Sequence, residues 1–176
     1  MRWESLFADM EAQLAAQESA ELGAQVSELT RAERATVTVA DRLRASRGAR
    51  IGVRVRGGAL VDGVVLDTAP EWLLLGEQAR RTLVPLDAVT AVVGLVPHAA
   101  PAPGEVERRL GLGHALRALA RDRVVVRVET DGAELTGRIE RVGADHLDLV
   151  TGHGEVLRGG TWWTVPFAGL RAVRSG

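Results

Sequence analysis

LVPLDAVTAVV, residues 83–93, returns near the C-terminus as TVPFAGLRAVR, residues 164–174. Both read as β-strand, yet each has a proline at its third position, Pro85 and Pro166. Proline lacks a backbone N–H, so a central strand excludes it. The repetition resolves the conflict. Both prolines are expected at the same corner of a duplicated fold, where one short strand ends and the next begins.

The duplication extends well upstream. ADRLRASRGARIGVRV (40–55) lies over GHALRALARDRVVVRV (113–128) without a gap, so that Leu43 meets Leu116, Arg44 meets Arg117 and Arg50 meets Arg123. One inserted residue brings Gly63 onto Gly137 and Leu73 and Leu75 onto Leu147 and Leu149. Seven more bring the proline segments together. Internal self-similarity of this kind marks a repeated structural unit. Each copy begins with a short helix and an alternating strand, followed by a Gly-containing turn, RGG or TDG. A second strand carries Gly63 or Gly137, an apolar third strand reads WLLL or HLDL, and the Val-Pro segment closes the copy. Short strands joined by tight turns predict a small, strongly bent antiparallel barrel, and a glycine inside strand two suits the bend.

The fold class expected is α+β, mainly β: an N-terminal helical arm, then two tandem Sm/SH3-like five-stranded antiparallel barrels, each preceded by a short helix. The boundaries are 1–35 for the arm, 36–96 for the first barrel and 97–104 for a Pro-rich linker. Residues 105–176 form the second helix and barrel. A barrel of this size buries only about 60% of its unfolded surface, so two with a common core should unfold together.

In the arm, Trp3, Phe7, Met10 and Leu14 recur at helical spacing, and Leu22, Val26 and Leu29 resume it. Residues 35–39, ATVTV, switch to β-branched composition and suggest a short extended piece. Thr38 followed by Asp41 reads as a capping signal for a short helix through Leu43 and Ala45.

Composition sets further bounds. Hydrophobic content of 46% supports a real core, and no apolar run approaches the length of a membrane span. Acidic residues early in MRWESLFADMEAQ do not fit a signal peptide, which leads to a cytoplasmic expectation. The absence of cysteine excludes disulfides and thiolate chemistry. A net charge of -1 argues against bulk attraction to nucleic acid or anionic lipid. All 22 basic residues are arginine, and Asn and Tyr are missing, which together indicate a GC-rich coding sequence.

The helix, the V-x-V strand, the Gly turn, the glycine in strand two and the L-x-L third strand resemble the Sm-like fold of LSm and Hfq proteins. The whole chain resembles two-barrel proteins of high-GC bacteria. The Sm-like resemblance implies RNA binding and ring assembly. Its RNA signatures, an Asp-x-apolar-Asn segment before strand three and an Arg-Gly near strand four, are replaced here by DTAPEW and RVGADH and by VPLD and VPFA. The RNA site is therefore not carried over. Edge-to-edge pairing stays open.

No catalytic constellation appears, and no cofactor or metal is expected. His146 and His153 with Asp145 and Asp148 could be imagined as a metal cluster, but strand alternation would put Asp145 and His146 on opposite faces. GLGHAL lacks the preceding strand and the further glycine of a phosphate loop. Arginines crowd one region instead: Arg108, Arg109, Arg117, Arg121 and Arg123 are the candidate nucleic-acid contacts, with Arg117 and Arg121 on one helix face. Trp3, Phe7, Met10, Trp162 and Trp163 are the candidate protein-contact surface. Being adjacent, Trp162 and Trp163 should point one inward and one outward. The function expected first is a non-enzymatic adaptor or scaffold whose partner is itself, through arm or barrel edges, or another protein. A nucleic-acid-binding regulator using the arginine-rich helix comes second, and no membrane partner is expected.

Overall fold

In a computed structural model, the description covers residues 2–152 and 160–175, and for 2–12, 14, 15, 18, 33 and 106 the backbone alone. The chain divides into two compact units, Met1–Val37 and Thr38–Gly176. The first is one helix, α1 (Arg2–Thr36), about 50 Å long at 1.5 Å per residue. Its side chains at Leu22, Val26 and Leu29 are exposed. No helix among the described residues is long and apolar enough to cross a membrane.

The extended piece expected at 35–39 does not form. Helix α1 runs to Thr36, and α2 (Val39–Ala45) begins three residues later. A capping box overrides the β-branched composition here. Thr38 Oγ1 accepts from the Asp41 backbone N–H at 3.2 Å, and Asp41 Oδ2 accepts from the Thr38 N–H at 2.9 Å. Two donors that a helix start leaves orphaned are thereby satisfied.

The second unit continues with β1 (Arg50–Val55), β2 (Leu60–Ala69), β3 (Trp72–Glu77), β4 (Arg80–Pro85) and β5 (Val89–Val93). After α3 (Glu105–Arg108) and α4 (Leu112–Asp122) come β6 (Val125–Thr130), β7 (Glu134–Val142), β8 (His146–Thr151), β9 (Thr161–Pro166) and β10 (Leu170–Ser175). The strands form one open antiparallel sheet in the order β5-β1-β2-β3-β4-β10-β6-β7-β8-β9. This corrects the expectation of two separate closed barrels. Strand β4 pairs with β10 of the other half, Leu83 opposite Val173 and Arg81 opposite Ser175, and not with its own β5. The ladder groups that would close each half on itself are used to join the halves.

Within the sheet the duplication is plain, since β5-β1-β2-β3-β4 and β10-β6-β7-β8-β9 have the same internal order. Pro85 and Pro166 end β4 and β9 with near-identical backbones, φ -61° and ψ 135° against φ -62° and ψ 141°. A single 3-10 turn follows each, Leu86–Ala88 and Phe167–Gly169, before the next strand begins. The corner read from the sequence is present in both copies. The strand-two bend is also duplicated. A bulge interrupts the β2–β3 register between Val65 and Asp67, and another interrupts β7–β8 between Ile139 and Arg141. Gly137 approaches β8 so closely that a Cβ would sit 2.2 Å from the Val150 carbonyl oxygen.

Two apolar clusters lie along the sheet. One gathers Leu43, Val53, Leu73 and Leu75 of the first half. The other gathers Leu116, Leu147, Leu149 and Leu170 of the second half, but also takes in Ala69, Trp72 and Leu83 from the first. Hydrogen bonds run the same way. The Trp72 indole N–H donates to Leu110 O at 2.8 Å. Glu71 accepts from the Leu112 backbone N–H at 2.8 Å, capping α4 where the N-cap residue, Gly111, has no side chain to do so.

Two outcomes follow. Replacing Asp41 with Ala should lower unfolding stability at neutral pH by about 1 kcal/mol, the usual cost of a lost cap. The Thr38 hydroxyl, then the Thr38 N–H and Arg44, hold the Asp41 carboxyl below its ordinary range. Its contribution is therefore complete above about pH 4 and lost as pH falls through the lowered value, so parent and variant converge in acid-side denaturation curves. Gly137→Ala should cost on the order of 2 kcal/mol or more by chemical denaturation, because the Cβ would meet fixed backbone.

Candidate functional site

Helix α4, LGHALRALARD, buries Leu112 and Leu116 against the second-half core. The spacing that turns these inward puts Arg117 and Arg121, four residues apart, together on the exposed side. At the helix end Arg123 takes a left-handed conformation, φ 53°. Opposite this helix, the bulge in β7 breaks strict alternation, so Glu140 and Arg141 are both exposed. Bulges re-aim side chains in this way. Between helix and strand lies an open cleft of about 610 Å³ lined by His114, Arg117, Arg121, Arg123, Glu140 and Arg141.

The cleft's charges are ordered by their surroundings. Arg117 donates to Gly143 O at 3.2 Å. The Arg141 guanidinium lies 5.7 Å from the centre of the Trp162 ring, within cation–π range. Glu140, the cleft's one carboxylate among the described residues, accepts from Arg138 at 2.7 Å. Arg121, Arg123 and Arg141 form no ion pair with any described residue.

Of the five arginines expected to act together, the structure gathers Arg117, Arg121 and Arg123. Arg108 and Arg109 do not line the cleft. They lie on or beside α3, where Arg109 pairs with Glu105 at 2.7 Å. Arg141 and His114 complete the cleft and were not among the candidates. The signal for Arg141 is its place four residues after Gly137, the repeat's partner of Gly63, but only the bulge shows where it points.

Trp162 and Trp163 are both exposed, 56% and 46%, which corrects the expectation that one turns inward. They lie on β9, the last strand of the sheet, where no further strand covers them among the described residues. The backbone of Trp3, Phe7 and Met10 is helical in α1, and their side chains lie outside the described residues. His153 of the imagined metal cluster also lies outside them. Asp145 and His146 are not on opposite faces. Asp145 precedes β8, so alternation does not govern it, and its carboxylate sits 2.8 Å from His146 Nδ1. That hydrogen bond lowers the Asp145 pKa. Among the described residues no three His, Asp or Glu side chains stand together as a metal site.

A second candidate surface is the pair of sheet edges. Strands β5 and β9 each have one hydrogen-bonded neighbour among the described residues. Val93 on β5 is 67% exposed, so both edges present large apolar side chains. No protein-family model, curated protein or solved structure matches the chain.

The positive cleft can be read optically. Iodide should quench the Trp162 contribution, isolated as the difference between parent and Trp162→Phe, more strongly than caesium does, because local positive potential concentrates anions. Arg141→Ala and Arg117→Ala should narrow that difference. Equal quenching by the two ions in the parent protein would contradict the charge assignment.

Proposed function

We propose that this chain is a non-enzymatic assembly protein of the cytoplasm whose copies join edge to edge, β9 of one onto β5 of the next. What supports the assembly reading is the β4–β10 junction inside the chain. It is a strand four paired with a strand five of the other copy, and β9 and β5 are the remaining strand four and strand five. The duplication therefore supplies a template for the missing contact. Carrying the β4–β10 register across by the repeat, Leu83 becomes Thr164, Thr82 becomes Trp163 and Arg81 becomes Trp162. On the other side Val173 becomes Val92, Arg174 becomes Val93 and Ser175 becomes Gly94. The expected pairs are Thr164 with Val92, Trp163 with Val93, and Trp162 with Gly94.

The template also accounts for the exposed side chains. Unpaired strand edges with apolar residues invite pairing, and natural sheets usually blunt them with charge or proline. Here the register brings Trp163 onto Val93, an aromatic beside a β-branched residue, a pairing that stabilises cross-strand contacts. Such a contact joins two different surfaces, so it closes as a ring or continues as a fibre.

Sedimentation and light scattering test this directly. The parent protein should be oligomeric at micromolar concentration, and Trp163→Glu or Val93→Lys alone should shift it to monomer. The chain carrying both changes should recover assembly, because the new charges face each other across the interface. A parent protein that stays monomeric at all concentrations would refute the proposal, as would single variants that assemble like the parent.

A further inference from the structure

The duplication permits an internal comparison that isolates the cleft beside α4. In the first half, Arg44 on α2 and Arg47 just after it each meet a carboxylate, as does Arg50 at the start of β1. Arg44 pairs with Asp41 at 2.9 Å, Arg47 with Asp67 at 2.6 Å and Arg50 with Glu77 at 3.2 Å. By the repeat, Arg44 and Arg50 are retained in the second half as Arg117 and Arg123. Arg47 is not, since Ala120 stands in its place, and none of the three acids is. Asp41 becomes His114, Asp67 becomes Arg141 and Glu77 becomes Thr151. Arg121 is added where the first half has Gly48. The same scaffold thus holds an internally neutralised face in one copy and an uncompensated cationic cleft in the other. Arg117 thus stands without the carboxylate that Arg44 has, and Arg121 and Arg141 add cations where the first half has Gly48 and Asp67.

We propose that this cleft binds a compact polyphosphate anion, the triphosphate tail of a nucleotide or a short inorganic polyphosphate. Guanidinium forks match phosphate oxygens with paired N–H donors, and four of them face one cleft of about 610 Å³, inside the roughly 300–1,000 Å³ range of small-molecule sites. Two of the four are held in place, Arg117 by the Gly143 carbonyl and Arg141 by the Trp162 ring, which lowers the ordering cost of binding. A compact anion fits better than a polymer because the positive charge does not continue as a track. Nearby Arg109 is paired with Glu105 and Arg127 with Glu134, and the whole chain carries -1.

Calorimetry on the full chain with sodium tripolyphosphate, ATP, orthophosphate and a single-stranded oligonucleotide tests the assignment. Tripolyphosphate and ATP should compete for one site per chain, orthophosphate should bind more weakly, and affinity should fall as salt rises from about 50 to about 200 mM. Arg117→Ala and Arg121→Ala should each weaken binding about tenfold, the scale of one charged hydrogen bond. Arg141→Asp, which restores the residue of the first half, should abolish it, while Arg109→Ala should leave it unchanged. Unaltered denaturation curves would show that these exposed replacements leave the fold intact. ATP binding more tightly than tripolyphosphate identifies a nucleotide, and equal affinity identifies the phosphate chain alone. Both outcomes support the proposal. It is overturned if tripolyphosphate does not bind, if binding survives Arg141→Asp, or if only the oligonucleotide binds, in which case the cleft serves nucleic acid.

Discussion

The pairing of β4 with β10 is the constraint on which the rest of this unit depends. Its ladder is short, three residue pairs from Leu83–Val173 to Arg81–Ser175, but charged side chains reinforce it. Arg56, at the end of β1, donates to Ala168 O at 2.6 Å, to Leu170 O at 3.0 Å and to Asp131 at 3.2 Å. Arg171 returns a hydrogen bond to Arg56 O at 3.1 Å. Beside the ladder, Arg174 sits 3.0 Å from Glu129, a carboxylate that is nearly buried. Removing Arg174 would leave that carboxylate desolvated without a partner, which costs more than the pair contributes. The junction therefore resists being opened one contact at a time.

From that junction the other features follow. Because strand four of the first half is paired across, its own strand five keeps a side unpaired among the described residues, and at the far end strand four of the second half does too. A sheet of two copies with a head-to-tail junction must end in unlike edges. The helical segment between the halves is drawn in as well. Glu71 and Trp72, at the start of β3, hold the start of α4 and the Leu110 carbonyl. The helix that builds one wall of the cleft is therefore positioned by the first half of the chain.

The sequence made local geometry legible and left the long-range choices open. Pro85 and Pro166 marked their corners because a missing N–H has few tolerated sites in a sheet. Thr38 and Asp41 announced α2 through a capping box that needs only four residues. Gly63 and Gly137 marked the bend. By contrast, alternation within β4 is the same whether its partner is β5 or β10, so periodicity cannot distinguish a closed barrel from a shared sheet. The same limit hid the exposure of Trp163. Its register partner Leu149 is fully buried, and only the position of β9 at the end of the sheet leaves the tryptophan uncovered. Arg141 was hidden for a related reason, since a bulge shifts the facing of every later residue in its strand.

The two halves thus share a backbone and differ in charge, and the difference is directional. In the first half, Asp41 and Asp67 pair with Arg44 and Arg47 around α2 and β2, and Glu77 of β3 pairs with Arg50 of β1. In the second half the retained arginines Arg117 and Arg123 stand with Arg121 and Arg141, and the one carboxylate lining the cleft among the described residues is engaged by Arg138. Like charges held close in a partly enclosed cleft repel one another, a cost to folding that a purely structural role would select against. An anion removes that repulsion. Trp162 sits where the two features meet: its ring carries Arg141 at the rim of the cleft, while its backbone belongs to the unpaired edge of β9. A neighbouring strand docked on β9 would restrict the motion of that ring, so assembly would order the same arginine that an anion would engage.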